Sequence, residues 1–344
     1  MRLVIHAPNV HVGGGAILLK ELLCYLKDLN EVWLILDSRL VAGLKRIPEV
    51  RVTSTIPTVA GRIAADFRLR RGSRQSDTVL CFGNLPPLFG ARGKIWLFLQ
   101  NRYLLNRLEL KGFPLRQRLR IGAERVWIRS RISAVSELIV QTPSMAEMAG
   151  RLGIPVSVMP FSPVIPASSE PATTGGENGP GQNAIFLYVA SGEPHKNHRG
   201  LVKSWVELAK SGIRPKLILT LGRERHPELC GWIDSMCARY ELDIENLGTL
   251  SRDRLFELYK RSTCLIYPSF FESMGLPLVE ARELGLPIIA AERDYVRDVV
   301  EPVQTFDPES SVSIARSVRR FLCRPEPCVR LLDGADFIQE VMRR

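Results

Sequence analysis

Two carboxylates stand eight positions apart in "FFESMGLPLVEA", the run from Phe270 to Ala281, with Gly275, Leu276 and Pro277 between them. Pro277 suits the first turn of a helix, where its missing N–H costs nothing, and Gly285 suits the end. The spacing therefore predicts a helix from about Leu276 to Gly285. The backbone N–H groups of Ser273, Met274, Gly275 and Leu276 then lie unsatisfied at a helix N-terminus, where the dipole favours a phosphate, and Gly275 lets that phosphate come close. Glu272 precedes the turn, and Glu280 follows in the first or second turn on a face that can point into a cleft. One motif can in this way hold two parts of one ligand. On spacing alone a plainer alternative stands beside it, with Glu272 a surface loop residue and Glu280 favoured by the positive end of its helix.

A second candidate is "VASGEPHKNHRG", Val189 to Gly200, in which a strand ends, Gly192 and Pro194 turn the chain, and Lys196 arrives just before a helix capped by Asn197. A lysine at a strand-to-helix turn is placed to neutralise a diphosphate, although an isolated surface lysine is the default. A third is "HVGGGAILLKELL", where Gly13, Gly14 and Gly15 either bring backbone amides to an anion or simply permit a tight turn. The dinucleotide fingerprint needs a third glycine where this chain has Leu18, yet Asp37 lies at a suitable distance, so an NAD-dependent oxidoreductase stays open as an alternative. No DxD-like cluster, HExxH or Cys/His group appears, so the motifs lend no support to a metal.

These residues need elements to position them. Short β-branched or Leu-rich runs alternate with longer amphipathic segments throughout, the pattern of βα units in parallel sheets, and the fold class is α/β. In the first half, strands are expected at "RLVIHA", "EVWLILD", "VRVTST", "DTVLCF", "KIWLFLQ", "LIVQ" and "VSVMP", with helices such as Gly15 to Leu29 and Pro143 to Leu152. Residues 162–183 are rich in Pro, Gly, Ser and Thr and read as a linker. The pattern then restarts with "AIFLYVA", "KLILTLG", "DIENLG", "CLIYP" and "LPIIAA" as strands, and Ser251 caps "RDRLFELYKR". The division is a first domain over 1–161, the linker over 162–183, and a second domain over 184–344.

At 344 residues and 45% hydrophobic side chains, two buried cores are feasible. The apolar runs are far shorter than the roughly 20 residues that cross a bilayer, and the N-terminus lacks a signal-peptide pattern, so a cytoplasmic protein is expected. Seven scattered cysteines read as reduced thiols. The net charge of +11 comes from arginines crowded in the first half. Around Arg102 to Arg131 they interleave with Leu104, Leu105, Leu108, Leu110, Phe113, Leu115 and Trp127. That mixture fits an anionic membrane surface or, equally, a core-facing helix with a solvated basic face. A non-catalytic anion-binding protein is the reading these charges alone would support.

The run from "NLGTLSRDRLFELYKR" through "YPSFFESMGLPLVEARELGLPIIAA" to "FDPES", with "LYVASGEPHKN" upstream, resembles the second domain of retaining glycosyltransferases of the GT-B fold, family 4. The likeness is strong over about 184–325. It is looser before that, where the glycine loop, "FGNLPPL", "FLQNRYLL" and "LIVQTPSMAEM" are similar to a bacterial branch that builds surface polysaccharide. The resemblance implies two Rossmann-like domains facing across a cleft, the first for the acceptor and the second for a UDP- or GDP-linked sugar, with the C-terminal helical segment packing back on the first. It implies that Lys196 grips the donor diphosphate together with the backbone of Ser273 to Leu276, supported by Ser191, Gly192 and His195. Glu272 would bind the donor sugar's hydroxyls, Glu280 the ribose, and Leu250 the base.

The implied reaction is metal-independent transfer of a hexose, mannose among the candidates, with retention, to a lipid-linked or lipopolysaccharide O-antigen glycan. It needs no cofactor beyond the nucleotide sugar and no nucleic acid, and it places the protein peripherally on the inner face of the cytoplasmic membrane. Two positions depart from the pattern. Many members carry an arginine where this chain has Ser191, and a first-domain histidine where it has Gln100 and Asn101, either of whose amides could bond the donor sugar.

Overall fold

The structure, a computed structural model, describes residues 2–26, 29, 31–44, 50–105, 113–163 and 184–325. Residues 164–183 of the expected linker, the C-terminal helical segment beyond 325, and Leu108, Leu110 and Cys328 lie outside the described residues.

The first domain opens with strand β1 (Leu3–Ala7), helix α1 (Gly13–Cys24), β2 (Val32–Asp37), the short α2 (Ser38–Val41) and β3 (Arg51–Thr55). It continues with α3 (Val59–Gly72), β4 (Thr78–Cys81), β5 (Lys94–Phe98) and α4 (Leu115–Arg131). β6 (Glu137–Val140), α5 (Pro143–Ala149) and β7 (Val156–Val158) complete it. All seven strands pair in parallel in the order β3-β2-β1-β4-β5-β6-β7. Helices cover both faces, which is why β2 is buried along its whole length and reads as the unbroken apolar run "VWLIL". On one face Val4, Trp33, Val79, Ile95 and Leu97 meet Ala65 and Leu69 of α3 and Ile121 and Ile128 of α4. On the other, Ile5, Leu34, Leu36 and Phe98 meet Leu18, Leu19 and Leu23 of α1.

The second domain repeats the scheme with β8 (Ile185–Tyr188), α6 (His198–Lys210), β9 (Lys216–Leu219), α7 (Pro227–Tyr240) and β10 (Ile244–Asn246). There follow α8 (Arg252–Arg261), β11 (Cys264–Tyr267), α9 (Leu276–Glu283), β12 (Ile288–Ala291), α10 (Asp294–Arg297), β13 (Gln304–Phe306) and α11 (Ser311–Phe321). Its sheet is parallel in the order β10-β9-β8-β11-β12-β13. In each sheet the chain moves outward from a central strand and then returns to that strand's other side. This creates a switch point between β1 and β4 in the first domain and between β8 and β11 in the second. Ligands of such sheets bind beyond the strands' C-terminal ends at that point.

Helix α1 starts at Gly13 rather than Gly15 and ends at Cys24 rather than Leu29, because Gly13 itself takes the left-handed turn (φ +72°) that opens the helix. The helix after the Gly-Leu-Pro run is Leu276–Glu283, with Gly275 left-handed at its cap (φ +73°) and Pro277 in its first turn, as the spacing requires. Ser251 and Asn197 cap α8 and α6 as expected, accepting from the amides of Arg254 and Gly200.

Candidate active site

A cleft of about 670 Å³ runs between the two domains, and the segments that follow the switch-point strands line it. From the first domain come Gly13, Gly14 and Gly15 after β1, Asn84 after β4, and Gln100 and Asn101 after β5. Ser191, His195 and Lys196 follow β8, Leu250 precedes α8, and Glu272 to Leu276 and Glu280 follow β11. The walls meet closely. A Cβ added at Gly14 would lie 3.4 Å from Leu276 Cδ1, so the glycine loop faces the start of α9 directly.

Lys196 and Glu272 come from different βα units, yet Lys196 Nζ lies 2.6 Å from Glu272 Oε1, with both side chains nearly buried. Tyr267 donates its hydroxyl to the same oxygen at 3.2 Å. Burial alone would raise the Glu272 carboxyl, but Lys196 beside it holds its pKa below the usual range, so it is ionised. Lys196 is held by its neighbours, because Tyr188 donates its hydroxyl to the Lys196 carbonyl at 2.5 Å. Asn197, left-handed at φ +57°, donates to the carbonyls of Pro268 and Pro308 at 3.2 and 2.7 Å. Next to this pair the amides of Ser273, Met274, Gly275 and Leu276 have no hydrogen-bond partner among the described residues. All four residues line the cleft, at the helix start where the sequence led to an anion cradle being expected.

Glu280 sits one helical turn further, buried, with Oε2 accepting from Tyr259 at 2.9 Å. Burial pushes its pKa up, and the Tyr259 bond offsets only part of that. His195 is half-buried, stacked on Phe271 at 4.9 Å and edge-on to Tyr103 at 5.6 Å. Burial lowers its pKa, so it adds a neutral ring rather than a standing cation.

Two expected donor-site residues are placed differently. Gly192 does not line the cleft; the His226 imidazole covers it, and a Cβ there would clash with the ring. Ser191 lines the cleft but donates its hydroxyl to the Glu193 carboxylate. In the first domain Asn101 Oδ1 accepts from the Tyr103 amide, whereas the Gln100 amide lies against Gly15, 3.0 Å from where a Cβ would stand. The acid of the oxidoreductase alternative is already engaged. Asp37 is fully buried and accepts from the backbone amide and guanidinium of Arg39 at 2.7–2.9 Å.

Sequence reasoning missed several residues. Asn84, left-handed at φ +64°, accepts from the amides of both Gln100 and Asn101 at 2.6 and 2.9 Å, and its only signal was an asparagine in "FGNLPPL". Arg225 lines the cleft and makes no ion pair or hydrogen bond among the described residues, while neighbouring Arg223 is bound to Asp234. Nothing in the sequence separates these two arginines. Contacts between the domains were also invisible: Thr142 donates to the Ser273 carbonyl at 3.1 Å, and the Ser144 amide to Asp298 at 3.1 Å.

Residues 174–335 match the family model described as glycosyl transferases group 1. Over 145 residues the chain is 31% identical to the serotype-specific mannosyltransferase WbdA of Escherichia coli, covering 40% of this chain and 17% of that protein. It is 32% identical over 120 residues to the O-antigen chain mannosyltransferase B of Escherichia coli, covering 33% of this chain and 30% of that one. The chain thus spans well under half the length of these curated relatives. In structure it is similar to an alpha,alpha-trehalose-phosphate synthase (UDP-forming) from Burkholderia vietnamiensis, with a TM-score of 0.70 at 14% identity over 94% of this chain and 92% of that one. The fold class is therefore GT-B, and the stretch similar to glycosyl transferases group 1, residues 174–335, takes in most of its second domain.

Proposed function

We propose that this protein is a retaining, metal-independent glycosyltransferase that moves a hexose, with mannose the first candidate, from a nucleotide sugar to a lipid-linked or O-antigen glycan. The observation that carries the reading is the meeting of Lys196 and Glu272 at 2.6 Å beside the open amides of Ser273 to Leu276. A cation, a helix N-terminus and an ionised acceptor of hydroxyl bonds converge where a sugar diphosphate would break. The mannosyltransferase relatives support mannose, and the UDP-forming neighbour supports a nucleoside diphosphate as leaving group.

In the proposed reaction the bond from the anomeric carbon to the diphosphate oxygen breaks and a bond to the acceptor hydroxyl forms on the same face. The acceptor's proton passes to the departing phosphate oxygen. Lys196 and the α9 amides stabilise the charge that develops on that oxygen, as preorganised donors do best. Glu272 bonds hydroxyls near the reacting carbon, and Glu280 bonds the ribose through the oxygen that Tyr259 leaves open. Gln100 supplies the amide that meets the sugar from the first domain. The acceptor is carried at the inner face of the cytoplasmic membrane, with the basic first domain turned towards it. The oxidoreductase alternative lacks a free ribose-binding acid, since Asp37 is held by Arg39.

The test is a panel of UDP-, GDP- and dTDP-sugars incubated with the pure protein, read by hydrolysis or by thermal stabilisation. One nucleotide sugar is expected to stabilise the fold and turn over, and Glu272→Gln to lower turnover about 10²–10³-fold with the circular dichroism unchanged. An inert panel would remove the donor-site assignment. Full activity in Glu272→Gln would remove Glu272 from the proposed contact with the donor sugar.

A further inference from the structure

The layer of helices that covers one face of the first sheet has an outer surface unlike the rest of the molecule. α3 and α4 both pack on that face, through Ala65 and Leu69 and through Ile121 and Ile128, so their opposite sides look outward together. The segment after β4 joins them. Trp127 of α4 donates to the Pro86 carbonyl at 3.0 Å and lies under the Arg62 guanidinium of α3 at 5.4 Å. Phe89, from the same segment, meets Phe67 of α3 edge-on at 6.3 Å.

The outward side of α3 presents Val59, Ile63 and Phe67 at intervals of four residues, Val59 being 80% exposed. α4 presents Leu115, Leu119 and Val126, each about two-thirds exposed. Arginines frame these side chains, with Arg68, Arg70 and Arg71 exposed on α3 and Arg116, Arg118 and Arg129 on α4. Neither helix shows a free carboxylate to balance them. Asp66 is buried against His6 and Arg62, and Glu124 is paired with Arg120. Of the residues behind the membrane expectation, Leu115 lies on this face, whereas Leu104 is buried and Trp127 is half-buried against Pro86.

We propose that the outer face of α3 and α4 is the docking surface for an anionic lipid bilayer. Large aliphatic and aromatic side chains at helical spacing enter the headgroup boundary, while arginines on either side lie along it and reach lipid phosphates. A nucleic acid would use the arginines and leave Val59, Ile63, Leu119 and Val126 in water. No described helix is long and apolar enough to cross the membrane, so attachment is peripheral through this face. The inference refines the membrane part of the proposed function and does not depend on the donor site.

The full chain is to be sedimented with vesicles of phosphatidylcholine alone and with one-third phosphatidylglycerol, at low and high salt. Association with the anionic vesicles only, weakened by salt, is expected. Val59→Ser/Ile63→Ser/Phe67→Ser and, separately, Arg68→Gln/Arg70→Gln/Arg71→Gln should each lower the bound fraction about tenfold. Both should keep the wild-type thermal shift with nucleoside diphosphates, which shows that fold and donor site are intact. In the wild type, hydrogen exchange over 59–71 and 115–129 should slow when anionic vesicles are added, which covers the case of a variant that does not fold. No vesicle binding, folded variants that bind as well as the wild type, slowing confined to other segments, or retention by duplex DNA in place of vesicles would each overturn the proposal. Loss of the nucleotide shift in the wild type, with vesicle binding intact, would count against the donor-site reading alone.

Discussion

At the scale of single residues, the two glutamates that share a motif have opposite electrostatics. Glu272 is held ionised by Lys196, whereas burial raises Glu280 by more than the Tyr259 hydroxyl and the Arg252 charge lower it. A carboxyl whose folded pKa lies above its unfolded value is fully accommodated at acid pH, and it costs stability as the pH rises through the folded value. Glu280→Gln should therefore raise the melting temperature of the ligand-free protein at pH 7. The gain should vanish near pH 4, and affinity for the nucleoside diphosphate should weaken; melting curves at the two pH values and a titration at pH 7 check this. A destabilising side chain retained at a binding position is expected where function and stability compete. Arg225 is the other residue-scale expectation. With position 191 a serine bound to Glu193 and His195 neutral, Arg225 is the cleft cation whose charge is unopposed among the described residues. Arg225→Ala should weaken diphosphate binding roughly tenfold while leaving nucleoside binding unchanged, as calorimetry would show.

At the scale of elements, the site depends on how turns are tied to strands. Asn197 caps α6, holds a left-handed turn, and donates to carbonyls after β11 and β13. Asn197→Ala removes the cap and leaves two buried carbonyls without a donor, so roughly 2–3 kcal/mol of stability should be lost. Urea denaturation measures it, and a change within a few tenths of a kcal/mol would show that the turn holds itself. The elements that carry strong local signals were legible beforehand: β2 as an apolar run, α9 from its glycine and proline, α6 and α8 from their caps. β13 was not, because "QTF" has no apolar run and becomes a strand only by pairing with β12. The turns that carry Glu272, Lys196 and the start of α9 were likewise readable, while the roles expected of these residues came from the resemblance. Asn84 and Arg225 were not, since their roles come from where distant strands end. The outward apolar face of α3 escaped notice, and that of α4 was seen only through Leu115 and its arginines, because sequence alone did not fix which side each helix turns to the sheet.

At the scale of the whole molecule, the cleft is one site with two owners. The glycine loop of the first domain touches Leu276, Phe271 packs against the cores of both domains, and Thr142 and Ser144 bond across to Ser273 and Asp298. A bound nucleoside diphosphate should therefore slow hydrogen exchange at Gly13 to Gly15 as well as at Ser273 to Leu276. Protection limited to the second domain would show that the glycine loop takes no part in donor binding. The 3.4 Å between a Cβ at position 14 and Leu276 also limits how this architecture can be recombined. The sequence relatives match about two-fifths of the chain or less, which invites exchanging a second domain from one of them to test the proposed donor preference. Such a chimera inherits one wall of the cleft but not the contacts that hold it to the other. Unless the graft presents a side chain at position 276 that fits against the glycine loop, and a carbonyl that Thr142 can reach, the two halves will fold and fail to close, so modularity in this molecule ends at the cleft wall.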